Sequence, residues 1–321
     1  MSRAPTPIDF RANSRGVPPT MAAAVQKATT KFLGTRATLV EAVGNDRWQA
    51  LRQAGHEVRL HAITHLDHYL AQAERAVTDA GGHVHWARDA EEACRIVLDV
   101  CAQRGVKLAV KSKSMASEEI GLNRAMEAAG IRVLETDLGE YIVQLKSMGP
   151  AHIVVPAFHL SKEEIAALFQ EKLGVGAPAE AEKLTHVARL KLREEFLSAD
   201  LGISGGNFLV AETGTIVMVT NEGNGRMCTT VPPVHVAIVG IDKVVPDWES
   251  LAVLLKLLAR SATGQKITCY TSFIGGPPRR AAETGPQEMH LVLLDNGRSR
   301  ILGCPETRET LLCIRCGACL N

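Results

Sequence analysis

The chain has 321 residues, long for one ordinary domain and short for three. Hydrophobic residues make up 46% and charged residues 22%, a balance that supports a sizeable packed core and argues against wholesale disorder. With 36 Lys and Arg against 35 Asp and Glu, and aromatics at only 4%, the sequence matches neither a general polyanion binder nor a stacking platform for single strands, so no nucleic-acid partner is expected.

Residues 1–20 hold Pro5, Pro7, Gly16, Pro18 and Pro19 without a hydrophobic period and read as a flexible arm. This polar start lacks the apolar core of a secretory signal. The most apolar helical stretch, LAVLLKLLARSA, carries Lys256 and Arg260 and is too short to span a bilayer. A cytoplasmic location follows as the expectation, and disulfides are rare there.

From 21 to 81 the pattern is helical, with Leu66, Tyr69, Leu70, Ala73, Ala76 and Val77 on one stripe that stops at Gly81. The period then switches repeatedly. A strand over 83–87 precedes a helix that Asp89 caps and Gly105 ends. Next come a strand over 107–111, a helix over 117–130 capped by Ser117, and strands over 131–135 and 152–157. Ser161 and Glu164 form a capping-box pattern at the head of a helix over 161–174. A charged helix over 182–199 leads to a hairpin over 207–223, strands over 234–240, 266–273 and 289–295, and a helix over 247–262. Strand and helix alternating at this spacing predict an α/β domain over 21–300, a mixed β-sheet with flanking helices in two lobes. A fully parallel Rossmann sheet is the alternative.

Three of the eight cysteines crowd the last nine residues as Cys313-x2-Cys316-x2-Cys319. Bacterial ferredoxin motifs use this spacing because close thiolates on a tight loop wrap three corners of a cubane. The motif's fourth cysteine would fall past Asn321, so these are three of four [4Fe–4S] ligands, and residues 301–321 read as an incomplete module. Zinc and ordinary free thiols are the alternatives, although structural zinc favours two separated pairs.

Within the large domain, Lys111 and Lys113 of KSKS sit between a strand end and a helix start, where an anion could bind; a solvated turn is the alternative. No GxGxxG or P-loop pattern accompanies them. Glu212 interrupts an apolar strand run, and Glu222 and Asn224 lie in a glycine-rich turn. These three are the acid/base candidates, and a structural carboxylate in a turn is the alternative. Asn207, Thr213 and Arg298 are further ligand candidates. His61, His65 and His68 at helical spacing, and His83 and His85 on one strand face, allow a metal but suit structural histidines better. Cys228 has no nearby histidine to activate it.

The segments HLDHYLAQAERAV, GGHVHWARDAEEA, KSKSMASEEIGLN, ETDLGEYIVQL, SGGNFLVAETGTIVMVTNEGNGRM, RSATGQKIT, LLDNGRSRIL and CIRCGACLN occur here in one order. Through them the chain, from about residue 60 to 321, resembles the iron–sulfur protein family of the bacterial L-lactate utilisation system, whose members contain a LUD domain. The resemblance implies a fold like the NagB/RpiA/CoA-transferase group, followed by a module with two [4Fe–4S] motifs. It implies electron transfer in the oxidation of L-lactate to pyruvate with two partner subunits. Cys313, Cys316 and Cys319 match the first cluster motif, whose continuation would lie past Asn321. On that expectation a stable cluster belongs to a longer parent. Two other roles stand beside electron transfer: a LUD domain that binds or transforms a small anionic metabolite, and a scaffold that docks partner subunits.

Overall fold

The structure, a computed structural model, describes residues 9, 11, 15, 19–148, 156–157, 159–278 and 284–320. The arm expected over 1–20 and the strand expected over 152–157 lie almost wholly outside them. Three helices come first, α1 (Pro19–Val43), α2 (Asn45–Thr64) and α3 (Leu66–Asp79). The stripe read from the sequence is the buried face of α3, through Leu66, Leu70, Ala73 and Val77.

Strand and helix then alternate as β1 (His83–Ala87), α4 (Ala90–Arg104), β2 (Leu108–Lys111), α5 (Met115–Glu119), α6 (Leu122–Ala128), β3 (Arg132–Glu135) and α7 (Leu138–Leu145). Two helices follow, α8 (Lys162–Leu173) and α9 (Ala181–Ser198). Asp89 accepts from the Glu92 N–H at the start of α4, and the Ser161–Glu164 capping box opens α8, both as the sequence predicts. One predicted helix differs. Ser114, rather than Ser117, caps it, and it breaks at Gly121 into α5 and α6. Ser117 is drawn inward instead and donates its hydroxyl to the Ser114 carbonyl.

The remaining elements are β4 (Leu201–Gly205), β5 (Phe208–Val210), β6 (Thr215–Thr220), α10 (Asn224–Thr230), β7 (Val234–Gly240), β8 (Val244–Val245), α11 (Trp248–Thr263), β9 (Tyr270–Ile274), β10 (Glu288–Leu294) and α12 (Arg298–Leu302). They complete two sheets where the sequence suggests one mixed sheet. The larger, ordered β1-β10-β7-β4-β2-β3, is parallel at every pairing. The smaller, ordered β8-β5-β6-β9, holds the antiparallel β5–β6 hairpin. The reason is connectivity. The larger sheet is joined by crossovers that keep its strands parallel, whereas the smaller combines the tight β5–β6 hairpin with a parallel β5–β8 pair and an antiparallel β6–β9 pair.

Successive residues of the parallel strands point to opposite faces, and both faces are buried. Val236, Ile238, Val292 and Leu294 pack with Val97 and Cys101 of α4, while Ala237, Val239, Leu291 and Leu293 pack with α3 and with Leu209 and Ile216 of the second sheet. The far face of β5 and β6 then packs through Phe208, Val210 and Val217 on Trp48 and on Leu251 and Leu254 of α11. Among the described residues no helix is long and apolar enough to cross a membrane.

Candidate functional site

From β2 the chain goes outward to the edge strand β3, then returns to β4 on the other side of β2. The segment leaving β2 covers one face of the sheet through Ile120 and Leu122, whereas the segment leaving β4 turns into the second sheet. The connections after β2 and β4 thus part to different sides at the carboxyl ends of these strands, the place where open parallel sheets take ligands. The two exits run close together. A Cβ on Gly205 would lie 2.7 Å from the Ser114 hydroxyl, so only glycine fits at the end of β4.

Lys111 and Glu135 are the last residues of β2 and β3 and face each other in register. Lys111 is fully buried, and its Nζ lies 2.8 Å from Glu135 Oε1 and donates to Ser117 Oγ at 3.1 Å. Asn123 Nδ2 donates to the same Glu135 oxygen at 2.7 Å. Lys111 is thus held inside the protein by a carboxylate and is not an exposed anion hook. Thr136 donates to the Lys111 carbonyl at 2.9 Å and accepts from Asn224 Nδ2 at 3.3 Å. Its hydroxyl lies 3.3 Å from Cys228 Sγ, and burial pushes that thiol up to about 12, which leaves it protonated and unsuited to nucleophilic attack.

Carboxylates gather round this pair. Glu140 is pushed up to about 7, first by burial and then by the charges of Glu118, Glu135 and Asp137, with Lys113 opposing. Burial also raises Glu222, Asp137 adds to the effect, and the Leu138 N–H, donating at 3.3 Å, counters it. A carboxyl group poised near 7 can give or take a proton at physiological pH. Four buried acceptors in this region, Glu118 Oε1, Asn123 Oδ1, Glu135 Oε2 and Asn224 Oδ1, have no hydrogen-bond partner. Buried oxygens of this kind call for a donor, from water or from a ligand.

The sequence candidates divide. Lys111, Lys113, Glu222 and Asn224 meet at these strand ends, although Asn224 begins α10 rather than lying in a turn. Glu212 is corrected: it is exposed at the tip of the β5–β6 hairpin, outside the strand run, beside Thr213, whose hydroxyl pairs with Thr215 at 2.8 Å. Asn207 fastens the hairpin, its Oδ1 accepting from the Val219 N–H at 2.8 Å. Arg298 is buried at the ends of β7 and β10, where it donates to Asp242 at 2.6 Å and grips both Glu119 oxygens at 3.0 and 2.9 Å. Sequence reasoning missed Glu135, Glu118 and Glu140; the one available signal was an apolar strand, RVLE, ending on an acid.

The histidines pair with neighbouring rings: His61, His65 and His68 are exposed on α2, at its junction with α3 and on α3, and lie against Tyr69. His61 pairs with the Tyr69 hydroxyl at 2.7 Å, and His83 and His85 stack on His290, with His85 and His290 ring nitrogens 3.0 Å apart. Among the described residues no three His, Cys, Asp or Glu side chains are arranged to hold one metal ion.

The cysteine loop forms a second site. Arg315 and Gly317, one between each pair of successive cysteines, have φ of 58° and 77°. This left-handed backbone turns the chain tightly and suits glycine best. The Arg315 N–H donates to Cys313 Sγ at 3.3 Å, and the Cys316 thiol feels both Cys313 and Cys319, which raise it after burial. Ile314 and Cys316 pack against the Trp48 and α11 core, so the loop is anchored on the domain. The loop keeps the C-x2-C-x2-C spacing of ferredoxin-type motifs, yet its three thiols are not gathered into a group that could hold one metal ion.

A doubly covered parallel sheet, with a cluster of buried polar groups at its switch point and a cysteine loop on its surface, defines an α/β protein with a polar strand-end cluster and a three-cysteine loop. The chain belongs to the LUD-domain family, whose model, described as "LUD domain", matches residues 70–294. It is 46% identical over 303 residues to the "Uncharacterized electron transport protein YkgF" of Escherichia coli K12. It is 48% identical over 302 residues to "Lactate utilization protein B" of Macrococcus caseolyticus, and 45% over 302 residues to the protein of that name in Shouchella clausii. Each match takes in 94% of this chain and 63% of the relative, so the chain spans less than two thirds of these curated relatives. It is also similar to the solved structure of a DUF162 family protein from Deinococcus radiodurans, at 16% identity and a TM-score of 0.40, over 71% of this chain and 98% of that one.

Glu140 yields a prediction whose sign follows from its raised value. The folded protein keeps a proton there that the unfolded chain releases above about 4.5, so the stabilisation is lost as pH rises to about 7. Urea unfolding of Glu140→Gln and the native protein at pH 5 and pH 8 is expected to show the variant gaining relative stability at pH 8. Comparing the two proteins at each pH cancels His235 and His290, which burial lowers to about 4. An unchanged difference between the two pH values contradicts the assignment.

Proposed function

We propose that this chain is the iron–sulfur, electron-transfer component of a system that oxidises L-lactate to pyruvate with two partner subunits. On this reading the LUD domain has a NagB/RpiA/CoA-transferase-like fold, and a ferredoxin-type module begins at residue 301. The observation that carries the reading is the anchored CIRCGAC loop, with its left-handed Arg315 and Gly317 and its N–H···S contact to Cys313. The names of the relatives, lactate utilization protein B and an electron transport protein, support it.

Cys313, Cys316 and Cys319 would hold three corners of a [4Fe–4S] cluster, and a fourth ligand must come from outside these three. When bound, such a cluster supplies single-electron transfer. Oxidation of a 2-hydroxy acid to a keto acid releases two electrons and two protons, so each turnover needs two such transfers. The chain's own residues fix the loop: Ile314 and Cys316 seat it on the core, and the Arg59 guanidinium donates to the Leu311 carbonyl at 2.8 Å just ahead of it. Anaerobic reconstitution of the natural full-length protein with iron and sulfide tests this. The expected result is a paramagnetic resonance signal on reduction that triple replacement of these cysteines by Ser abolishes while the thermal melt is kept. An undiminished signal in the triple variant contradicts the ligand assignment.

A second reading, favoured by the unpartnered acceptors of the strand-end cluster, gives the LUD domain a small-molecule site of its own. Glu118, Glu135, Asp137, Glu140 and Glu222 outnumber Lys111 and Lys113 there, so the cluster suits a hydroxyl- or amine-bearing ligand better than a simple anion. Calorimetry with neutral polyols, an amino sugar, L-lactate and pyruvate is expected to give heat only for the donor-rich compounds. A flat response to polyols and amino sugar removes this reading.

A further inference from the structure

The C-terminal half of α11, the loop that follows it and the strands β6 and β9 enclose a cleft of about 200 Å³ that shares no residue with the strand-end cluster or the cysteine loop. Lys256 and Arg260, four residues apart, stand on one face of α11. Lys266 and Thr268 come from the loop, and Thr271 from β9. Val219 of β6, the register partner of Thr271, joins Leu255 and Ile267 as apolar wall.

No acid lines the cleft. Among the described residues Lys256, Arg260 and Lys266 make no salt bridge and no side-chain hydrogen bond. Arg260 lies in the last turn of α11, where a cation suits the helix dipole. Its Nε, however, is buried without a hydrogen-bond partner, and a dipole supplies none. A buried N–H of this kind calls for an acceptor from a ligand or from water.

The walls are fixed by the protein itself. Gly264 ends α11 at φ 73°, where a Cβ would fall 2.7 Å from the Thr35 carbonyl of α1, so only glycine lets the chain turn there. Asn221, just past β6, then fastens the loop: its Nδ2 donates to Gln265 at 2.8 Å, and its Oδ1 accepts from the Cys269 N–H at 3.1 Å. Thr263 donates to the same Gln265 oxygen at 2.9 Å. Thr268 donates to the Tyr270 carbonyl at 3.2 Å, and the Thr271 hydroxyl makes only a long contact to Thr268 at 3.5 Å.

We propose that this cleft binds a small phosphate monoester, with the phosphoryl group on Lys256, Arg260 and Lys266 and the organic part against Val219, Leu255 and Ile267. Such a group carries a charge of about −1.5 to −2 at pH 7 and three strong acceptor oxygens. It meets three unpaired cations and a spare hydroxyl better than a monocarboxylate does. The space is smaller than the roughly 300–1,000 Å³ of pockets for drug-sized ligands, so the organic part is short. The inference stands apart from both functional readings above.

Calorimetry of the chain with propyl phosphate, inorganic phosphate and butyrate tests it. Propyl phosphate is expected to bind one to one, more tightly than inorganic phosphate, which lacks the apolar part. It should also exceed butyrate, which carries the same propyl group on a single charge, and added salt should weaken it. Lys256→Gln and Lys266→Gln, both at exposed positions, are each expected to weaken propyl phosphate about fivefold. Lys266→Arg should keep native affinity, as should Lys172→Gln on the exposed side of α8. Lys256→Met and Lys266→Met serve if the thermal melt of a Gln variant falls. Native affinity in both neutral lysine variants overturns the site, and so does butyrate binding as tightly as propyl phosphate. No heat from propyl phosphate overturns it as well, and leaves the cysteine-loop and strand-end readings intact.

Discussion

A parallel sheet covered on both faces leaves its strand ends as the places where polar side chains can gather, and β2 and β3 end here on a register pair, Lys111 and Glu135, joined at 2.8 Å inside the protein. Burying both charges is tolerable only because each is met by the other and by Ser117 and Asn123. Removing one partner from a pair of this kind costs on the order of 3–5 kcal/mol. The pair fixes where the segment after β2 turns and draws Ser117 inward. It also sets the local charge against which Glu118 and Glu140 titrate.

The same strand-end edge carries the second charged assembly. Glu119, the neighbour of Glu118, reaches Arg298 after β10, Arg298 reaches Asp242 after β7, and Arg59 ties the Asp242 carbonyl to that of Leu311. These links run from the strand-end cluster to the cysteine loop without leaving the rim of the sheet. They fasten the segment after residue 300 to the LUD domain through a helix, α2, that precedes the family match at residue 70. The N-terminal helices are therefore part of what holds the cysteine loop in place.

Much of the architecture is legible in the sequence because it depends on local rules. The Asp89 cap, the Ser161–Glu164 box and the stripe on α3 follow from spacing alone, and so do the boundaries of β1, β2 and β7. The division into two sheets is not legible, because pairing partners lie far apart in the chain: β10 pairs with β1 across about two hundred residues. The site is half legible. KSKS and NEGNGR stand out, yet their partners Glu135 and Glu140 look in sequence like ordinary surface acids. Glu212 stands out as an acid in an apolar run, but the run is the bend of a hairpin, where a charge is easily solvated. The CIRCGAC spacing is the plainest signal, whereas the Arg59 contact to the Leu311 carbonyl just ahead of it joins residues far apart in the chain and forms only in three dimensions.

The central claim is that electrons from a 2-hydroxy acid pass through the Cys313 loop. Its most direct test is to add L-lactate, without oxygen or added reductant, to the protein isolated from its native cells with whatever copurifies, and to follow the resonance signal that depends on Cys313. L-lactate is expected to produce the reduced-cluster signal, with pyruvate appearing in proportion to it. Pyruvate forming at the native rate with the Cys313→Ser protein isolated in the same way would contradict the claim.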